Sequence, residues 1–536
     1  MKKFFASIAC AAVSVAAVAQ SADFDLAKAL DVQNSILKQL SAGYVDTLQF
    51  GKLINTGVTA MLASLDPYTV YFPEEEEEDV QMMTTGIYGG VGALIKKRPD
   101  QAVLITQPYK GSPAAKYGLQ PGDSIVAIDG KSVYGESSQQ SSDRMKGQPG
   151  TTVKFKVVKG RTGEVQEINV KRERIHMSDI DYYCMLKGNV GYVSVTGFTQ
   201  GMSSEFREVL LNLKSQGAQR LVIDLRGNGG GLMDEAIKLM SLFVPKGTMV
   251  VSSKGRAKGT NVEYRTQTDP VDTQIPVMVM ISSGSASSSE IVAGAFQDLD
   301  RGTIAGVRSF GKGLIQSVRP TSFGGTLKLT TGKYYTPSGR CVQAIDYSNR
   351  NEDGSVGAIP DSLTSEFKTA GGRIVKDGGG ITPDIVVEPR RYSRPTVSLV
   401  YNDITGDYAI KYFLEHESIA PASDFALTDA EYDDFVKFCE GREFDWRSGS
   451  DAEMENLEEA ARYDGIYDSC KAEIEALKAK LDIKKSDAIY LAKDEVKPLL
   501  ESAIVAKYYF PGTSAVVNLR YDEQLKSCLE KWTANK

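Results

Sequence analysis

The sequence predicts a multidomain α/β protein with four parts: a helical N-terminal segment, a β-rich domain, an α/β domain on buried strands, and a mostly helical C-terminal domain. Three observations lead there. The chain has 536 residues, too many for one hydrophobic core at roughly 150 residues per domain. Its texture changes three times, from helical periodicity to short β-rich runs split by glycines, then to alternating strands and helices, then to charged helical sequence. The strands of the third part are continuous apolar runs followed by amphipathic helices, the pattern of βαβ units.

The chain opens with MKKFFASIACAAVSVAAVAQ, in which Lys2 and Lys3 precede a short apolar run that ends in the small-x-small pattern Ala17-Val18-Ala19. This reads as a secretory signal over 1–19, cleaved after Ala19. The protein is then exported, to the periplasm first and to the extracellular space as the alternative. A lipid anchor at Cys10 is the weaker reading, because the apolar run before it is very short. No other run is long enough to span a membrane, so the mature chain is expected to carry no transmembrane segment. Cleavage removes two lysines and no acid, taking the net charge from -7 to -9. An acidic exported chain argues against nucleic acid as a partner. The run Glu74–Asp79 is the densest charge cluster and reads as a solvated loop. The five remaining cysteines, Cys184, Cys341, Cys439, Cys470 and Cys528, are widely spaced and odd in number. They form no C-x-x-C pattern, a C-terminal disulfide stays open, and neither a metal site nor a cofactor is expected.

Residues 24–82 read as helix through LAKALDVQNSILKQL and GKLINTGVTAMLASL, closing at Asp66-Pro67. Residues 85–174 hold the β-rich runs IYGGVGALI, AVLITQ, DSIVAIDG, TVKFKVVKG and EVQEINVKR, with a helical turn and a Pro-Gly-Asp turn in GSPAAKYGLQPGD. This arrangement resembles a PDZ domain. The resemblance points to Gly89, Gly90, Val91 and Gly92 as the loop that captures a peptide's C-terminal carboxylate, beside a sheet edge that accepts the peptide as an added strand. A glycine-rich hairpin without a ligand is the bland alternative. Residues 180–391 carry the alternating units: GYVSVTGF before SSEFREVLLNLKSQG, RLVIDLRGNGGG before DEAIKLMSLFV, and IPVMVMISSGSA before SSEIVAGAFQDL. Residues 395–536 are charged and helical, with Ile474, Leu477 and Leu481 at helical spacing and no readable chemical motif.

The α/β domain carries the chemistry at its strand ends, where such folds bind ligands. The chain has only two histidines, His176 and His416, and neither is at a strand end of that domain. A Ser-His-Asp triad or a histidine zinc site is thereby disfavoured, and a lysine with a depressed pKa becomes the natural base for a hydrolase. Ser287 and Glu290 form an S-x-x-E capping box at the start of a helix. That suffices to explain the serine, yet a hydroxyl at a helix N-terminus also sits beside N–H groups that stabilise an oxyanion. The loop Arg226-Gly227-Asn228-Gly229-Gly230-Gly231 fails the dinucleotide fingerprint, since Leu232 stands where Gly or Ala is required, but it can present backbone N–H groups at close range. GVRSFGKG, residues 306–313, approaches a phosphate loop. It lacks the hydroxyl residue after Lys312, and the following segment reads as extended rather than helical.

Taken together, S-A-S-x-S-E-I-V, F-G-K-G-x-x-Q, D-L-R-x-N-x-G-G and Y-x-T-P-S-G-R resemble the carboxy-terminal processing (tail-specific) protease family of serine peptidases. The likeness covers about residues 30–390. It implies a catalytic domain related to the crotonase and Clp-protease architecture, with Ser287 as nucleophile, Lys312 as general base 25 positions later, and Gln316 orienting that lysine. It also implies oxyanion donors at the Ser288 amide and at Gly229 or Gly230. Substrates would be proteins or peptides with free C-termini; a homo-oligomer or an adaptor protein stays open. Two departures stand out. Ser288 replaces a common alanine and brings a rival hydroxyl, and Tyr68-Thr69 replaces a frequent His-Ser pair. A non-catalytic PDZ scaffold and a crotonase-like acyl-thioester enzyme remain the alternatives.

Overall fold

The computed structural model describes the backbone of residues 2–98, 100, 102–351 and 355–534, and side chains from residue 23 onward except at 348, 361, 452 and 511. The leader expected over 1–19 and Cys10 lie outside the residues whose side chains are described. The chain divides into two compact units, residues 1–71 and 72–536. The first contains the helices Lys2–Gly43 and Phe50–Ala63. The second helix ends at Ala63, three residues before the Asp66-Pro67 pair, and Asp66 accepts the N–H groups of Tyr68 and Thr69 at 2.8 Å each and the Thr69 hydroxyl at 3.0 Å. Among the described residues no helix is long and apolar enough to cross a membrane.

The acidic run is not a loop: Glu74–Glu76 forms a 3-10 turn and Glu77–Thr85 a helix. Its carboxylates occupy the first turn, where negative charge complements the unpaired N–H groups, and all six acids remain in water. Helix propensity and charge placement thus suit the same residues.

The β-rich domain is one antiparallel sheet with main strand order Ala93–Lys97, Val103–Pro108, Ser124–Ile128, Thr152–Val158, Val165–Lys171. Val153, Phe155 and Val157 alternate with exposed residues along one strand and pack with Ile105 and Ile125. Ala93–Lys97 lies at the sheet edge. Beside it runs the helix Ser138–Met145, which the sequence reading passed over; a Ser137/Gln140 capping box starts it.

The central α/β domain carries the sheet order Ile180–Leu186, Val190–Val195, Arg220–Asp224, Val277–Ile281, Gly302–Gly306, Ile385–Val386; the first pair is antiparallel and the rest are parallel. Alternate residues serve two cores. Val193, Leu221, Ile223, Val277, Val279 and Ile281 meet the helices Met202–Ser215, Met233–Ser241 and Ser288–Asp298. Val190, Tyr192, Val222, Met278 and Met280 meet Leu525, Cys528 and Trp532 of the helix Glu523–Ala534. The last helix of the chain therefore completes the core of the α/β domain. A second sheet, containing Leu314–Pro320 and Thr326–Tyr335 as an antiparallel pair, stands beside it.

Residues from Arg394 onward are helical, around a core that includes Tyr408, Tyr432, Phe435, Leu500 and Ile504. This domain holds the β-rich domain through Lys96, which bridges Asp403 and Asp407 at 2.9 Å each, and through Lys507, which donates to the Thr106 carbonyl at 3.1 Å. The five described cysteines are all free, so the disulfide left open above is not formed.

Candidate active site

Two loops meet at the ends of the strands Arg220–Asp224 and Val277–Ile281, and polar side chains stitch them together. Ser285 Oγ donates to the Leu225 carbonyl at 2.6 Å, and Ser282 Oγ accepts the Gly227 N–H at 3.0 Å. Asn228, fully buried, donates from Nδ2 to the Val195 carbonyl at 2.8 Å, while its own carbonyl accepts the Ala286 N–H and the Ser289 hydroxyl. The serine-rich stretch is thus largely structural. Ser288 Oγ donates to the Gly231 carbonyl at 2.9 Å from a buried position, so its hydroxyl is committed and not a rival.

Ser287 differs from its neighbours. Its backbone has φ 56 and ψ -115, a conformation costly for a residue with a Cβ and characteristic of functional turns. A capping box is arranged around it: Glu290 Oε2 accepts the Ser287 N–H at 3.0 Å, and the Glu290 N–H goes to the Ser287 carbonyl at 2.8 Å. Ser287 lines a cavity of about 380 Å³ together with Lys312, Gln316, Gly229, Gly230 and Tyr334. A second cavity of similar volume lies around Arg308, Arg340 and Asp384, and neither Ser287 nor Lys312 lines it.

Glu290 holds the two halves of the site together. It is fully buried; Oε2 accepts the N–H of Ser287 at 3.0 Å and of Lys312 at 2.8 Å, and Oε1 accepts the Gly311 N–H at 2.7 Å and the Ser309 hydroxyl at 2.6 Å. Burial pushes its carboxyl above the usual range against the pull of those four bonds. Tyr334, also buried, donates its hydroxyl to the Ser287 carbonyl at 3.2 Å. Gln316 Nε2 donates to Thr330 Oγ1 at 3.3 Å on the wall of the same cavity.

Gly230 packs against the Ser287 turn: at φ +100, a Cβ there would stand 2.7 Å from the Ala286 carbonyl oxygen and 2.9 Å from the Ser288 amide nitrogen. Its own N–H is donated to Asn228 Oδ1 at 2.8 Å. Gly229 has open space around it.

In the β-rich domain a groove of about 290 Å³ lies between the edge strand and the unanticipated helix, lined by Val91, Gly92, Leu94, Ile95 and Met145. Of the four positions expected to take a carboxylate, Val91 and Gly92 line this groove. Gly89 and Gly90 instead belong to the strand Ile87–Gly90, paired with Arg174 and Glu173.

Comparison with known proteins assigns the chain. The peptidase family S41 model matches residues 189–349, a PDZ domain model 104–159, and the model described as a probable PDZ-protease C-terminal helical domain 395–531. A carboxy-terminal-processing protease of Bartonella bacilliformis is 32% identical over 378 residues, 69% of this chain and 78% of that one. The chain belongs to peptidase family S41. It is a serine peptidase with a PDZ domain and a C-terminal helical domain. A probable CtpA-like serine protease of Staphylococcus aureus is 33% identical over 312 residues, 58% of this chain and 61% of that one. Among solved structures, a photosystem II D1 C-terminal processing protease covers 66% of this chain and 91% of its own at 25% identity, with a TM-score of 0.35. The C-terminal segment, which carried no motif legible from sequence alone, thus has a family match of its own.

Several residues of this S41 peptidase escaped the sequence reading. Glu290 was read as a cap partner only, and Tyr334 as part of a motif without a task. In the same motif, Arg340 is buried and pairs with buried Asp298 at 2.8 Å, tying the segment after Tyr334 to the end of the helix that Ser287 begins. Asp224 and Arg226 of the D-L-R run form an ion pair that extends to Asp522 and to Gln524 at 2.9 Å, joining the strand end to the last helix.

Proposed function

We propose that this protein is an exported endopeptidase that captures protein C-termini in its PDZ groove and hydrolyses a peptide bond in the tail with a Ser287-Lys312 dyad. The observation that carries the reading is Ser287 itself: a strained serine at a helix N-terminus, in one cavity with a lysine and a glycine loop. Strain at that turn presents the hydroxyl to the cavity, and buried Glu290 fixes the backbone on which both groups stand.

In the first half-reaction Ser287 Oγ bonds to the carbonyl carbon while its proton passes to neutral Lys312 Nζ. The carbonyl oxygen becomes an oxyanion facing the Ser288 amide at the helix start and a glycine amide of the Gly229-Gly230 pair. Gly229 is the simpler donor, because the Gly230 N–H must first leave Asn228. The C–N bond then breaks as Lys312 gives the proton to the leaving amine. In the second half-reaction water attacks the acyl-enzyme, Lys312 takes its proton, and the proton returns to Ser287 as the acid product departs.

Mass spectrometry of a disordered reporter with a free apolar C-terminus tests the proposal. Cleavage by the intact protein, but not by Ser287→Ala or Lys312→Ala, supports the dyad. Loss of cleavage on amidating the reporter supports C-terminal capture. An intact reporter in every reaction argues against the proposal, and cleavage that survives Lys312→Ala removes the lysine from it.

A further inference from the structure

The cleft that holds Ser287 and Lys312 contains a second lysine, Lys328, for which the reaction above has no use. It stands on the strand Thr326–Tyr335, half-buried, and burial pushes its ammonium below the usual lysine range. Among the described residues its Nζ reaches Met83 Sδ at 3.7 Å, a weak acceptor, and no carboxylate lies within ion-pair distance. Three other sheltered lysines of this chain pair with acids, Lys146 with Asp79, Lys159 with Asp123 and Lys214 with Asp272, and a fourth, Lys507, donates to the Thr106 carbonyl at 3.1 Å, a stronger acceptor than a thioether. Of the acids of the run Glu74–Asp79, close in sequence to Met83, Asp79 is held by Lys146, and none lies within ion-pair distance of Lys328. A partly desolvated cation without a counter-ion is costly to maintain, and in a substrate cleft the missing partner is what enters.

Register places this charge relative to the dyad. Gln316 pairs with Thr330 and Val318 with Lys328 across the two antiparallel strands. Lys328 is therefore two residues beyond the rung that carries Gln316, on the same face and about 7 Å along the strand. An extended peptide shows alternate side chains on one face at the same repeat.

We propose that Lys328 is a specificity residue that binds a carboxylate of the peptide lying in the catalytic cleft, either an Asp or Glu side chain or the peptide's own free C-terminus. The inference rests on the peptidase reading, because it takes a peptide as the occupant of the cleft.

The test uses the full-length mature protein and matched peptides in which Glu or Gln is scanned through the positions flanking the cleavage site, each with a free or an amidated end. Affinity is measured in the Ser287→Ala background and turnover with Ser287 present. At one position Glu is expected to exceed Gln by about tenfold, a preference retained in Lys328→Arg, abolished in Lys328→Met, and reversed toward Lys in Lys328→Glu. Raising salt from about 0.05 to about 0.5 M shrinks the preference in the unaltered protein, a readout that needs no variant to fold. A Lys328→Met effect that disappears on amidation identifies the terminal carboxylate as the source, and one that survives identifies the side chain. A Lys328→Met variant in which both the Glu-to-Gln ratio and the free-to-amidated ratio are unchanged overturns the inference. Lys328-dependent binding without any turnover leaves it standing and overturns the peptidase reading.

Discussion

A single carboxylate oxygen, Oε2 of Glu290, accepts the backbone N–H of both Ser287 and Lys312, at 3.0 and 2.8 Å. The two residues are separated along the chain, yet one buried atom sets the backbone of each. Glu290→Gln keeps the size of the group but turns an N–H₂ donor toward a cluster that offers only donors. One or more buried bonds are then lost, and we expect kcat/KM to fall about 10- to 100-fold with the fold retained by circular dichroism. Full activity in this variant would remove Glu290 from the positioning of the dyad.

The dependence on pH has two parts of opposite sign. In the proposed Ser287-Lys312 mechanism the lysine must be neutral and Glu290 ionised, so the rate is expected to rise with pH from about 6 to about 9 when chemistry is limiting; a flat profile argues against Lys312 as the base. Stability runs the other way for Glu290. Burial raises its folded pKa above the unfolded value, so the folded chain binds the proton more tightly. Its stabilising contribution is full below the unfolded pKa and is lost as pH rises through the folded pKa. Thermal melts of the unaltered protein and Glu290→Gln, compared from about pH 4 to about 7, should show the difference (unaltered minus variant) declining as pH rises. A difference that grows would mean the four hydrogen bonds outweigh burial.

Gly229 and Gly230 separate steric from electronic roles in the glycine loop. Gly230→Ala places a methyl 2.7 Å from the Ala286 carbonyl oxygen at φ +100, so the Ser287 turn must shift and activity is expected to fall by at least about 100-fold. Gly229→Ala meets open space and retains its N–H, so activity close to that of the unaltered protein is expected. Initial rates on one reporter, with a covalent serine probe to count competent Ser287, check both. The reverse order would exchange the two glycines in this account.

How much of this was legible in the sequence depends on whether the signal was local. The strands and helices around Asp224 and Ser287 follow from apolar runs and amphipathic periods, and the two loops then meet because parallel strands end on the same side. The helix Ser138–Met145 was missed because its surface is polar and lacks an apolar period, although its Ser137/Gln140 cap is present in the sequence. The acidic run was taken for a loop because charge density was weighed without its place in a first helical turn. Glu290 looked like a cap because only its bond to Ser287 is local. Its bonds to Ser309, Gly311 and Lys312 come from tertiary structure, and no periodicity encodes them.

Tyr334 offers a milder test of how the Ser287 turn is held. Its hydroxyl donates to the Ser287 carbonyl at 3.2 Å, and Tyr334→Phe removes that bond while keeping the ring. A loss of about 1 kcal/mol in transition-state stabilisation is expected, roughly fivefold, appearing in kcat with little change in KM because the bond orients the turn and does not touch the peptide. An effect confined to KM would place Tyr334 in substrate binding instead.

The last helix offers the clearest test of how the domains depend on one another. Leu525, Cys528 and Trp532 cover Val190, Tyr192, Val222, Met278 and Met280, the Arg220 guanidinium lies 5.7 Å from the Trp532 ring centroid, and Arg226 binds Asp522 and Gln524. Trp532→Ala removes a buried aromatic from this face and is expected to destabilise by about 3 kcal/mol. The loss should appear in the α/β domain, as faster hydrogen exchange along Val190–Val195 and Arg220–Asp224, although Trp532 belongs by sequence to the C-terminal segment. Should exchange in those strands stay unchanged while the C-terminal helices loosen, the helix would be an appendage of its own domain. Should the strands loosen, the far face of the sheet that presents Ser287 is stabilised by the end of the chain, and truncation at residue 521 would cost activity through the core rather than through the cleft.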